Sequence, residues 1–301
     1  MAYAKVFITK TFNREEGIRD ILDQFDLNSF SGTNVALKAN YNSPDPFPAS
    51  THPETLRYLV GILKEVGVSG ITLAERSGMG QTRRVLEILG ICKLADELDF
   101  QVTVLDELKK EGWFKVNGKG THWFRGFYLP RLFRDADRVV QTCCLKTHRF
   151  GGHFTLSLKN SVGLVAKRLP GGIYDYMAEL HLSPSQRLMI AEINRYYPTD
   201  LVLMDATKAF LDGGPDKGML AKPGVFMASE DRVAIDAAGV ALLRYLKTTP
   251  VVSKGRIFDL DQIQRAAELK VGVSSADEVK IIPVNSETQE LSSAIDEILK
   301  E

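Results

Sequence analysis

Between Val139 and Gly163 the chain reads VVQTCCLKTHRFGGHFTLSLKNSVG, an apolar, strand-like run that breaks into Lys146, Thr147, His148, His153, Lys159 and Asn160. Two ammonium groups, two imidazoles, a hydroxyl and an amide, set among glycine and serine, can hold an anion, pass a proton or complete a metal shell. A loop that only joins two elements has little use for that set. His148 closes LKTH, where a neutral imidazole can act as acid, base or ligand. In SLKNSVG, Lys159 and Asn160 followed by Ser161 and Gly163 can turn a cation, an amide and backbone N–H groups toward one oxyanion, as helix starts do. Nearby Lys167 and Arg168 with the Gly171-Gly172 turn extend the positive lining, form a lid, or are simply solvated.

Such residues must be carried by a frame. Short β-branched runs alternate with amphipathic stretches, the pattern of an α/β fold with a mostly parallel sheet flanked by helices. Strands are predicted at 5–9, 34–38, 70–74, 101–105, 138–142, 201–204, 225–228 and 279–282, and helices at 15–25, 53–66, 81–89, 185–196, 231–246, 260–269 and 291–299. The stretch from Phe114 to Pro130 mixes glycine with Trp123, Phe124, Phe127 and Tyr128 and fits neither period. The expectation is one α/β unit over residues 1–301, with an elaborated middle region, an insertion or cap, around 110–135.

In an open parallel sheet, ligands bind beyond the carboxyl ends of the strands. Four apolar runs end there in polar groups: Lys38 and Asn40; Glu75, Arg76 and Ser77 before Gly78-Met79-Gly80; Lys146, Thr147 and His148; and Asp205 ahead of the turn Asp212-Gly213-Gly214-Pro215. His52, before Pro53, falls near the same edge or serves only to start a helix. The turn after Glu75 resembles a phosphate cradle, yet it is neither GxGxxG nor GxxxxGK[ST]. Bland readings stand beside each group: Lys38 as a solvated charge, the Asn40-to-Pro46 asparagines as self-satisfying turn residues, His153 as a buried histidine, His122 as packing in the middle region.

Composition narrows the function class. Lysine plus arginine and aspartate plus glutamate both number 38, so no global field favours nucleic acid or an anionic membrane. No apolar stretch approaches the roughly 20 residues needed to span a bilayer, and MAYAKVFITKTFNREEG carries no signal-peptide pattern, so a cytoplasmic location is expected. Cys92, Cys143 and Cys144 have no CxxC spacing, and no HExxH pattern is present, so no local metal motif is implied; a divalent metal held by distant residues stays open.

The blocks LKANY, THPETLRYLVGILKEVG, GITLAERSG, CLKTH with SLKNSVGLV, LVLMDATKAFLDGGPDKG and ASEDRVAIDAAGVALL, in this order, resemble the family catalogued as domain of unknown function 362. Where that family's first block reads KPN, Ala39 replaces the proline between Lys38 and Asn40. Many relatives carry ferredoxin-type cysteine clusters that this chain lacks, so no iron-sulfur cluster is expected. The resemblance implies the α/β fold and a shared pocket; it supplies no reaction.

The sequence thus points to an enzyme acting on a small carboxylate or phosphate, by proton transfer of isomerase, lyase or transferase type. Lys38, Lys146 and Lys159 would hold the anion and His148 exchange the proton, with Asn40, His52, Ser77, Thr147 and Asn160 binding substrate. Glu75, Asp205 and Asp236 would orient these groups or bind a cation, and covalent chemistry at Lys146 remains open. The alternative is a non-catalytic ligand or metal carrier in a redox or cofactor-assembly pathway. Oligomeric state is not set by the sequence.

Overall fold

The computed structural model describes residues 3–151 and 153–301. Its strands are β1 (Ala4–Lys10), β2 (Asn34–Lys38), β3 (Gly70–Glu75), β4 (Gln101–Val104), β5 (Trp113–Val116), β6 (Phe127–Pro130), β7 (Arg138–His148), β8 (His153–Thr155), β9 (Leu201–Asp212), β10 (Met219–Ala221), β11 (Val225–Ser229) and β12 (Val279–Pro283). The main sheet runs β12-β1-β11-β9-β7-β2-β3-β4, with β10 on β9 and β8 on β7. Pairings β1·β12, β2·β3, β2·β7, β3·β4 and β7·β9 are parallel; β11 runs antiparallel between β1 and β9. The mostly parallel α/β expectation therefore holds. Strands β5 and β6 pair only with each other, as a separate hairpin within the elaborated middle.

Helices α1 (Arg14–Leu22), α2 (Pro53–Glu65), α3 (Thr82–Ile88) and α4 (Ile91–Leu98) belong to the first half of the chain. Ile18, Leu22, Leu56, Leu59 and Leu94 pack with Leu37, Leu73 and Leu203 in one core. Then come α5 (Arg131–Asp135), α6 (Ser157–Asn160), α7 (Tyr176–Leu182), α8 (Gln186–Ile193), α9 (Arg232–Tyr245), α10 (Pro250–Ser253), α11 (Asp261–Glu268) and α12 (Gln289–Lys300). Helix α9 is buried from Arg232 to Leu243, packing with α12 side chains and with Val202, Met204 and Met227 in a second core. An alanine-rich helix, mostly apolar around its circumference with Arg232 and Asp236 as buried exceptions, suits that sandwiched place. Among the described residues, no helix is long and apolar enough to cross a membrane.

Two strands run further than predicted. β7 continues through CCLKTH to His148, and β9 passes Asp205 to reach Asp212. The register between them slips after Cys144↔Asp205, resuming at Leu145↔Ala209, so Asp205 sits at a bulge inside the sheet rather than at a strand end. The bulge lets Thr207 fold back, its N–H and hydroxyl both donating to Asp205 Oδ1.

Candidate functional site

β7 neighbours β2 on one side and β9 on the other, while the chain leaves β2 for β3 and β4 and leaves β7 for β9. The connections thus diverge between β2 and β7, and such a divergence opens a crevice at the carboxyl edge of a sheet. A cavity of about 780 Å³ lies there, lined by the ends of β2, β3 and β7, by β8 and α6, and by α7.

Strand alternation decides which residues reach it. Lys146 and His148 share one face of β7 and both line the cavity, whereas Thr147 points the other way and donates to Phe210 O at 3.2 Å. Lys38, Asn40, Glu75, Lys159 and Asn160 also line it; Ser77 does not, its hydroxyl donating to Tyr41 O at 2.6 Å. His52 caps α2, its Nδ1 accepting from Glu54 N at 3.2 Å. Asp205 accepts from Arg14 Nε, Thr55 Oγ1 and Thr207, away from the cavity lining. Asp236 is outside the cavity lining: its oxygens accept from Ser157 N at 2.8 Å and Leu158 N at 3.0 Å, anchoring the start of α6. Burial raises that carboxyl to about 8.

The cations differ in how they are answered. Lys38 Nζ donates to Glu75 Oε2 at 2.7 Å, to Asn160 Oδ1 at 3.1 Å and to Ala39 O, so all three donors are used. Glu75 in turn accepts from Tyr41 N and Arg76 N. Burial lowers Lys38 and raises Glu75, but the short contact and complete hydrogen bonding favour the ionised pair. Gly163 permits this closeness, since a Cβ there would lie 2.6 Å from Glu75 Oε1 and 2.9 Å from Lys38 Cε. The Arg76 guanidinium spends its donors on the carbonyls of Val165, Val162 and Ser77, pinning the segment after α6.

Lys146 is fully buried and donates to Ala49 O, and burial lowers its ammonium. Lys159 has no hydrogen-bond or ion-pair partner among the described residues; burial and Lys146 together push it down to about 7. Desolvation, followed by the charges of Lys159 and Lys146, drives the His148 imidazole far below its ordinary range and keeps it neutral. Among the described residues, four buried polar atoms without a partner belong to side chains of this cavity: Asn40 Nδ2, Tyr41 OH, His148 Nδ1 and Thr155 Oγ1. These unpartnered polar atoms lie in the same cavity lining as Lys146 and Lys159.

Tyr41 and Thr155 escaped the sequence reading because isolated hydroxyl residues carry no spacing signal. Phe150, Met177, His181 and Asp175 complete the mouth; His181 Nδ1 lies 3.0 Å from Gln186 Nε2. No group of three or more His, Cys, Asp or Glu side chains suited to a metal ion occurs among the described residues. Cys143 and Cys144 are buried in β7, and burial pushes the Cys144 thiol to about 12.

No curated protein sequence matches the chain. Among solved structures, the lactate racemase apoprotein from Thermoanaerobacterium thermosaccharolyticum is similar, with a TM-score of 0.50 and 13% identity over 76% of this chain and 55% of that one. This chain therefore spans little more than half of that protein's length, and the likeness concerns the fold alone. More than half of the chain, residues 35–241, matches one family model, and the protein belongs to the family described as Domain of unknown function (DUF362).

Proposed function

We propose that the protein is an enzyme that moves a proton on a carbon next to an anionic group, an isomerase-type reaction on a carboxylate or phosphate substrate. The observation that carries this reading is Lys159: a cation without a counter-charge among the described residues, in a cavity that also holds Lys146 and a neutral His148. An amine near 7 is matched to acid–base work at neutral pH.

The steps follow from the groups. The substrate anion meets Lys146, Lys159 and the free donors of Asn40, Tyr41 and Thr155. Desolvation first, then the Lys159 and Lys146 charges, keep His148 neutral; the substrate's negative charge offsets the second of these and favours proton acceptance from the carbon by the imidazole. Lys159, in its ammonium form, returns a proton to that carbon. Negative charge spreading into the carboxylate during the transfer is stabilised by the fixed cations around it. Lys38 and Glu75 act as wall, not as free donor or base. The chain shares its fold with a lactate racemase apoprotein, and racemising lactate inverts a carbon beside a carboxylate; the likeness is one of fold, and the reading rests on the residues above.

The test is hydrogen exchange. A panel of hydroxy, amino and unsaturated carboxylates, with their phosphate counterparts, is incubated with the protein in D2O and followed by proton NMR. Wash-in of deuterium beside the anion is expected for at least one member, falling roughly 10²- to 10⁴-fold in His148→Gln and Lys159→Met. Binding of such anions with no exchange in the wild-type protein would overturn the proposal in favour of a non-catalytic carrier.

A further inference from the structure

The cavity holds buried charge at its depth, and its opening carries large apolar side chains beside the polar Lys167, Asp175 and His181. Lys38, Glu75 and Lys146, at its depth, are 1%, 1% and 0% exposed, whereas Met79 and Phe150, at its mouth, are 44% and 53% exposed. Val162, Met177 and Pro215 add apolar lining. Single exposed apolar side chains are ordinary on a protein surface. Two lining one cavity, with further apolar wall, give an apolar part to the path between solvent and the buried cations. Phe150 is tied to that path: its ring packs edge-on against His148 at 5.7 Å, while the Arg149 guanidinium covers it at 4.4 Å.

Size argues in the same direction. About 780 Å³ falls in the range of roughly 300–1,000 Å³ that encloses drug-sized ligands, far more than a three-carbon acid fills. A charge at one end and apolar contact at the other describe the missing partner. We infer that the cavity takes an amphiphilic anion: one carboxylate or phosphate head seated near Lys146 and Lys159, joined to an apolar body that reaches Met79 and Phe150. The inference rests on the anion site proposed above and adds the class of molecule attached to the head.

A homologous series tests it without knowledge of the natural ligand. Dissociation constants are measured by titration calorimetry for n-alkanoates from acetate to decanoate, and for n-alkylammonium ions of the same lengths. Affinity for the alkanoates is expected to rise about fourfold per methylene as the chain enters the apolar wall, then level off once it passes the mouth. Alkylammonium ions should bind at least tenfold more weakly at every length. Phe150→Ser and Met79→Ser, both at exposed positions where folding is not threatened, should flatten the gain among the longer chains. A series flat in chain length that still prefers carboxylate overturns the amphiphile inference and leaves the anion site standing. A rising series that treats carboxylate and ammonium alike overturns the anion site itself.

Discussion

Two polar clusters inside this protein, one around Asp205 and one around Lys159, are finished differently. Around Asp205, one carboxylate oxygen accepts from Arg14 Nε at 3.1 Å and Thr55 Oγ1 at 2.6 Å, and the other accepts from Thr207 N and Oγ1. Arg14 is further paired with Glu54 at 3.6 Å and lies over the Phe47 ring. Around Lys159 the charges are of one sign, the imidazole is neutral, and several polar atoms are unpartnered. The first cluster has the completeness of structure, since a buried ion with every lone pair used only ties elements together. The second carries a cost that a ligand would relieve. Lys38 and Glu75 show that location alone does not decide the matter: they line the cavity, yet they are of the first kind.

Substitutions should separate the two kinds, most strongly where a satisfied charge loses its partner. Asp205→Ala leaves the Arg14 guanidinium and the Thr55 hydroxyl without their acceptor and should cost about 3–5 kcal/mol in urea denaturation. Lys38→Met should cost about 3 kcal/mol at pH 7, because Glu75 would stay buried with only backbone donors. In that variant the folded-state carboxyl would sit above its unfolded value, so the loss should shrink as pH falls toward 5. If Lys38→Met is neutral at pH 7, Lys38 and Glu75 do not form the satisfied pair described above. Gly163→Ala, which drives a methyl against both partners, should cost about 1–3 kcal/mol by the same measurement.

What the sequence conveyed about these clusters follows the physics of each. Lys38, Glu75, Lys146, His148 and Lys159 were legible because charge breaks an apolar run, and parallel strands deliver such breaks to one edge. All the predicted strands occur, favoured by β-branched runs such as VFIT in β1 and RVVQT in β7. Asp205 was read by the same rule, but β9 does not end there: a bulge absorbs the polar residues, and bulges have no composition signal. Thr147 and Ser77 were drawn in by adjacency, whereas side-chain alternation along β7 turns Thr147 away, and Ser77 is used up in a turn. The short elements α6, β8 and β10 were not resolved; their three or four residues are too few to show a period, and tertiary contacts such as Asp236 on α6 hold them. Whether a charge is answered, the property that distinguishes the clusters, depends on partners distant in the chain.

The smallest expected effect bears most directly on that property. Lys159 stands near 7 in the folded protein against an ordinary 10.5, so between these values the unfolded chain binds more protons and stability rises with pH. The penalty is therefore complete below pH 7 and fades to nothing by about pH 10.5. Lys159→Met removes it, and the variant should be more stable than wild type at pH 6, by about 1–2 kcal/mol. The cost is modest because part of Lys159 remains open to solvent. The advantage should diminish through pH 8 and 9 as the wild-type amine loses its proton. An anion in the cavity reverses the bias, pulling Lys159 back toward its charged form, so binding at pH 8 should take up protons and weaken as pH rises further. Calorimetry in two buffers of different ionisation heat reads the proton uptake directly. An advantage that grows with pH, or binding that releases protons, would place Lys159 with the answered charges and erase the contrast with Asp205.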